Sequence, residues 1–430
     1  MQTLKKPTPH AEALLIAALV VIAILVRWVG FREKTTDMSI FFSWYHQLGR
    51  IGGWRSLGAD VGNYNAPFLY LLAFSHLLPG PLILKIKAIW VVFDVVLAFF
   101  AYRIVALRWP GSRIATATAL IVVLLPTVVL NASFWGQIDA MWAAPALGGL
   151  YYLLRDKPWW GVALCGVAVA MKPQGIFILP LLLLLALGGK IPWRTLLAAP
   201  AAYLALDIPA IVFGRNPIEL LTIYSMNRQA VNVPELSLRA PNVFALMPGG
   251  PREDTLRTLG YLFAAAVVIA VIYVLIARAV ELTPERIVLA AALFSILMPF
   301  LLPGMHERYF FLADVLTVVL VMFLPRLWYV PLLVQAASLL SYQPYLFGRV
   351  VAVLPTIAAL LMLAALIIVA HQLLSDAFTK AEEEKEDLTA VPDTVAELAP
   401  LPKSNFARRS EASRLSPPSE RPVPLPARRA

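Results

Sequence analysis

The chain has 430 residues, 60% hydrophobic and 14% charged, with a mean hydropathy of +0.74 and a formal net charge of +10. Soluble domains carry roughly 25% charged residues, so this composition excludes an ordinary soluble enzyme or binding module and predicts an all-α polytopic membrane protein. The one cysteine, Cys165, lies in an apolar run, which excludes a disulfide framework and a cysteine-based metal site.

Lys5 and Lys6 precede the apolar run 13–26, and Arg27 follows it without a small-residue cleavage site, so an uncleaved first span is expected. With about 17–25 residues as the guide, spans are predicted at roughly 11–29, 81–107, 114–132, 137–154, 158–172 and 174–189. Six more follow at roughly 195–213, 257–279, 286–304, 308–325, 327–345 and 350–374, giving about twelve transmembrane helices. In the first long loop Phe41, Trp44, Tyr45, Leu48 and Ile51 recur at helical spacing around Ser43, Gln47 and Arg50, the pattern of an amphipathic interfacial helix. An apolar piece at 67–78, bounded by Pro67 and Pro79-Gly80-Pro81, is too short to span, so two juxtamembrane helices are expected in this loop. Residues 1–374 form the membrane domain. Residues 375–430 open on an acidic run, 382–387, and become rich in Pro, Ser and Arg, the composition of a disordered cytoplasmic tail.

From Asp376 onward nine Lys/Arg face ten Asp/Glu, so the membrane portion holds 27 basic and 16 acidic residues. This excess suits anionic phospholipids or a phosphorylated substrate. With the N-terminus inside, short inner loops hold Arg103, Arg108, Arg113, Arg155, Lys157, Lys190, Arg194, Arg278, Arg286 and Arg326, and short outer loops only Lys172, Arg308 and Arg349, as the positive-inside rule requires. The long outer segments 29–80 and 214–256, with their edges, hold twelve more basic residues and weigh against that count.

In this topology five polar clusters face outward: Asp37; Asn63-Tyr64-Asn65-Ala66-Pro67; Trp135-Gly136-Gln137-Ile138-Asp139; Lys172-Pro173-Gln174; and His306-Glu307-Arg308. Their order, together with Asn131-Ala132-Ser133-Phe134 before Trp135 and the full run Met305-His306-Glu307-Arg308-Tyr309-Phe310-Phe311, resembles bacterial GT-C membrane glycosyltransferases, in particular relatives of the GPI-anchor second mannosyltransferase. The resemblance covers about 11–374. It implies transfer of a monosaccharide, mannose or another hexose, from a polyprenyl-phosphate donor to a lipid-linked or cell-envelope acceptor, with inversion, at the outer face of a bacterial inner membrane. It also implies that Asp37, early in the first outer loop, is the general base. Relatives often read Asp-Tyr-Pro-Pro where this chain has Asn63-Tyr64-Asn65-Ala66-Pro67, so a carboxylate of the family pattern is missing here.

The residues read alone agree. Inverting sugar transfer needs a carboxylate to take the acceptor's proton and a cation for the departing phosphate, and a leaving phosphate needs no acid. Of the outward acids only Asp37, Asp139 and Glu307 sit in clusters. Asp37 is the expected base, its other reading being a cap of the interfacial helix. Arg308, with Lys172 second, is expected at the donor phosphate, the alternative being snorkelling to headgroups. His306 and Glu307 would orient Arg308 or contact sugar. Gln137 and Asp139 would bond sugar hydroxyls with Trp135 stacking, or else mark an ordinary helix start with an interfacial tryptophan. Gln174, Tyr64 and Asn65 complete the expected donor and acceptor contacts. Trp28, Trp44, Trp54, Trp159, Trp160 and Trp328 read mainly as interfacial anchors. Adjacent residues on a helix splay by about 100°, so His306 and Glu307 are not expected to share a metal, and no cofactor beyond the sugar donor and no nucleic-acid partner is expected. Asp94 and Asp207 lie inside spans and are expected to be structural. The alternatives are a lipid or glycolipid flippase, which would gather its ligands at midplane on broken helices, and a non-catalytic membrane scaffold.

Overall fold

The computed structural model describes residues 8–225, 235–247, 253–348, 351 and 353–389. It is an all-α polytopic membrane protein, and several of its helices start where the sequence supplies caps. In α1 (Pro9–Gly30) the Thr8 side chain accepts from the Ala11 amide, Pro9 opens the first turn and Arg27 closes the last. In α2 (Thr36–Ile51) the cap is Thr35, whose hydroxyl accepts from the Met38 amide at 3.3 Å. Asp37 therefore stands inside the first turn and is not the cap.

A turn of 3-10 helix (Gly53–Gly58) leads to α3 (Ala66–Phe74), which with α2 fills the place of the two expected juxtamembrane helices. Next come α4 (Leu82–Arg108), α5 (Arg113–Leu124) and the short α6 (Pro126–Val129), which runs into a π-helical turn, Leu130–Trp135. Pro126 lacks an N–H, and the pair Arg113–Leu124 and Pro126–Trp135 is bent by 47° around it. Then follow α7 (Asp139–Leu153), α8 (Pro158–Met171), a 3-10 turn (Pro173–Ile178), α9 (Leu179–Leu187), α10 (Ala198–Val212) and α11 (Pro217–Thr222). The last elements are α12 (Glu253–Ala277), α13 (Pro284–Leu301), α14 (Phe311–Phe323), α15 (Val330–Phe347) and α16 (Leu354–Thr389).

Each of the twelve expected runs overlaps a helix among the described residues, but five of those helices are long and apolar enough to cross a membrane alone, or six with the bent pair as one span. The stretches Pro158–Met171, Pro173–Leu187 and Phe311–Phe323 are apolar helices too short for that test. The chain divides after Ala381, with Glu382–Ala430 a second unit whose described part, 382–389, is helical backbone. The expected tail from 390 on lies outside the described residues. Helix α16 passes the expected boundary at 374 because the Ala, Glu and Lys that follow are strong helix formers.

Helices α7, α13 and α14 form the centre, with nearly every side chain buried. The outer helices differ: only 17% of the apolar window of α1 and 22% of that of α12 is buried, leaving Leu14, Ile24, Leu262 and Phe263 to face lipid. Close packing of α7 on α8 uses small residues, since a Cβ on Gly149 would stand 2.7 Å from Cys165 Sγ and 2.9 Å from the Gly161 carbonyl. The intramembrane acids pair. Arg27 and Asp94 bridge α1 and α4 at 3.1 Å, and Asn65 donates to Asp207 at 2.9 Å, tying the start of α3 to α10.

One expectation is corrected. Residues 306–308 do not open a helix: Met305–His306 is a strand, β2, paired in parallel with β1 (Ser237–Leu238), and α14 begins only at Phe311. Gly304, at φ +73°, turns the chain out of α13, and the Gly304 and Glu307 amides bond the Leu236 and Leu238 carbonyls at 2.7 and 3.1 Å.

Candidate active site

The clusters meet around one cavity of about 460 Å³. Its polar lining comes from the start of α2 (Asp37), the loop before α3 (Asn63, Tyr64), the turn before α7 (Gln137), the α8–α9 junction (Lys172, Gln174) and the β2 segment (His306, Arg308). The chain leaves β2 in a turn at 307–310, where the Tyr309 amide bonds the His306 carbonyl at 3.1 Å, and there His306 and Arg308 line the cavity while Glu307 is fully buried behind them.

Asp37 is half-buried and accepts two hydrogen bonds on Oδ2, from Trp135 Nε1 at 2.8 Å and Gln137 Nε2 at 2.6 Å. Both donors reach it because the chain unwinds from the π-helical turn at Gly136, which has φ +78° and lies so close to Met38 of α2 that a Cβ would collide with the thioether. The Thr35 hydroxyl donates to the Trp135 carbonyl at 2.6 Å and fixes the same junction.

On the facing side the charges are interlocked. Lys172 Nζ donates to Asp139 Oδ1 at 2.5 Å and to Gln137 Oε1 at 3.4 Å. Asn131 holds the other Asp139 oxygen at 2.7 Å, and Arg308 Nε stands 3.7 Å from it. Arg308 Nη1 donates to Glu307 Oε1 at 2.6 Å, and His306 Nδ1 lies 3.6 Å from Glu307 Oε2. The guanidinium also lies over the Trp135 and Tyr309 rings, 5.6 and 5.9 Å from their centroids. Burial pushes the Glu307 carboxyl up, but the attraction of Arg308 and His306 outweighs it and holds the group below its ordinary range. Burial pushes the Tyr64 hydroxyl up, beyond what the opposing pull of Arg308 reverses.

Of the expected site residues, Asp37, Tyr64, Gln137, Lys172, Gln174, His306 and Arg308 line the cavity. Trp135, Asp139 and Glu307 are buried behind that lining as partners of Asp37, Lys172 and Arg308. Asn65 is fully buried, bonded to Asp207 and to the Ala66 amide at the start of α3, and does not line the cavity. Sequence reasoning missed Trp44, read as an anchor, and Tyr224; both line the cavity. The signal for Trp44 was present, since positions 37, 40, 41 and 44 lie on one face of a helix. Among the described residues no three His, Cys, Asp or Glu side chains gather as a metal-ligand set.

A second cavity of about 280 Å³ shares Pro173, Gln174, Tyr224 and Tyr309 with the first and is otherwise mainly apolar, with Ile176, Phe177, Met298 and Leu302. The two adjacent cavities thus offer a carboxylate and two buried cations on one side of the shared residues and an apolar lining on the other. A family model described as glycosyltransferase family 87 matches residues 63–303, more than half of the chain, a range that takes in the 63–67, 135–139 and 172–174 clusters and leaves Asp37 and 305–311 outside. No curated protein matches the chain.

Proposed function

Because the chain belongs to glycosyltransferase family 87, and is thereby a membrane glycosyltransferase with a sugar donor, an acceptor and membrane lipids as its partners, we propose that the cavity transfers a hexose from a polyprenyl-phosphate donor to a hydroxyl of a lipid-linked or cell-envelope acceptor. In this reading the sugar is mannose, as the motif resemblance implies, and the cavity opens to the outer face of a bacterial inner membrane. The acceptor oxygen attacks the anomeric carbon as the bond from that carbon to the phosphate oxygen breaks. Asp37 takes the hydroxyl proton, and polyprenyl phosphate leaves with the bonding electron pair. Attack opposite the leaving group inverts the anomeric centre.

The observation that carries the reading is the division of the cavity between Asp37 and the Lys172 and Arg308 pair, with Gln137 between them. Trp135 and Gln137 hold one carboxylate oxygen and thereby aim the other at the acceptor. Lys172 and Arg308 neutralise charge as it develops on the phosphate, in a site where water is scarce and such contacts are strong. Asp139 and Glu307 hold these cations in place without reaching the substrate. The apolar cavity beside Gln174 and Tyr309 takes the first isoprene units of the donor.

The test is transfer by the purified protein in lipid nanodiscs, supplied with labelled polyprenyl-phosphate hexoses and a cell-envelope lipid extract. Label should move from donor to a more polar product. A folded protein that moves no label from any such donor ends this reading.

A further inference from the structure

We propose that Lys87 is a positioning residue for the catalytic base, holding Asp37 and its two hydrogen-bond donors in register from behind the cavity. The inference rests on the proposed role of Asp37. Lys87, on α4, is fully buried, and its ammonium donates to the carbonyls of Gly30 at 2.9 Å, Glu33 at 2.6 Å, Ser133 at 2.7 Å and Phe134 at 3.3 Å. A lysine has three N–H donors, so four oxygens share them. A charged group in this setting is costly, which makes it a functional hypothesis by default.

The carbonyls belong to two segments that share no sequence. Gly30 and Glu33 end α1 and begin the link to Asp37, four residues on. Ser133 and Phe134 lie in the π-helical turn that delivers Trp135 and Gln137 to the Asp37 carboxylate. Lys87 is where base and donors are fastened together, and its stem runs beside Gly136, where an added Cβ would stand 3.3 Å from its Cε. The Thr35 bond to the Trp135 carbonyl closes the same junction from the other side. Without the ammonium, the carbonyl oxygens of the two segments would face each other without the charged donor that joins them, and the segments would part. Lys172 and Arg308 are carried by the α8–α9 junction and the segment that follows β2, whereas the four acceptors of Lys87 all lie elsewhere, so the donor side meets the fastened junction through side chains, Gln137 for Lys172 and the Trp135 ring for Arg308.

The assignment predicts a split. Lys87→Met in nanodiscs should lower kcat by roughly 10- to 100-fold, the size of a small misplacement of a catalytic group. It should also shift the acidic limb of the pH–kcat profile and leave donor affinity within about threefold of wild type. Lys87→Arg should recover part of kcat, since it restores a cation with several donors. Thr35→Val, which weakens the same junction without touching the buried charge, should lower kcat in the same direction and carries the test if Lys87→Met does not fold. Unchanged kcat, or a loss of donor binding equal to the loss of kcat, overturns the assignment. Absence of transfer by the wild-type protein would instead defeat the transferase reading.

Discussion

Gln137 donates its amide nitrogen to Asp37 Oδ2 at 2.6 Å while its amide oxygen stands 3.4 Å from Lys172 Nζ, so one side chain joins the proposed base to the proposed phosphate clamp. The amide orientation follows from its neighbours, a carboxylate on one side and an ammonium on the other. Gln137→Leu removes both contacts. A hydrogen bond to a charged group contributes about 1.5–3 kcal/mol, so kcat should fall by roughly 10- to 100-fold. Steady-state kinetics on the folded variant check this.

The Lys172 and Asp139 side chains are both about 1% exposed and 2.5 Å apart. Removing one partner of such a pair costs about 3–5 kcal/mol, because the other charge stays buried. Lys172→Met and Asp139→Leu should each lower the unfolding temperature sharply. The double substitution should recover much of that stability while transfer stays lost. Thermal unfolding of the four proteins in one detergent, with transfer assayed beside it, separates the structural share of the pair from its share in catalysis.

Gly136 tests the turn. Its φ of +78° and the contact with Met38 both oppose a Cβ, so Gly136→Ala should displace Trp135 and Gln137 from Asp37 and reduce turnover. Met38→Ala in the same chain removes the collision but not the backbone strain. Partial recovery of kcat in the double variant is the expected result, measured against Met38→Ala alone.

Glu307 gives a pH dependence. Its carboxyl is held below the ordinary 4.5 in the folded protein by Arg308 and His306, against the upward push of burial. A carboxyl depressed by folding contributes stability that is fully present above its ordinary value and lost as pH falls through the folded one. The unfolding temperature of the wild type should therefore drop as pH is lowered past 4.5, and Glu307→Gln should start lower and respond less over the same range.

What the sequence makes legible here is charge in apolar surroundings. Asp37, Lys172 and Arg308 stand out because an ionised side chain between membrane runs needs a reason, and their neighbours Trp135, Gln137 and Tyr64 come with them as short polar strings. Periodicity likewise marks α2, since Phe41, Trp44 and Leu48 repeat at helical spacing. The β2 segment is different. Two residues paired with Ser237–Leu238 have no period to detect, so 306–308 read as a helix start, and the turn at 307–310 that buries Glu307 while His306 and Arg308 line the cavity stays hidden. Lys87 is hidden for another reason: its four acceptors are backbone carbonyls, which any sequence has, and only the fold brings them to one point. Trp44 is masked by the ordinary use of tryptophan at membrane interfaces.

The central claim is that the cavity separates proton abstraction by Asp37 from phosphate binding by Arg308. The most direct measurement sets donor Kd and kcat of Asp37→Asn beside those of Arg308→Ala, with a labelled polyprenyl-phosphate hexose in nanodiscs. Loss of a general base should lower kcat by roughly 10²- to 10⁴-fold in Asp37→Asn. Donor affinity in that variant should stay within about threefold of wild type, whereas Arg308→Ala, having lost a charge-assisted contact to phosphate, should bind donor at least about tenfold more weakly. Equal loss of donor binding in the two variants, or an Asp37→Asn protein that turns over at the wild-type rate, would contradict the account.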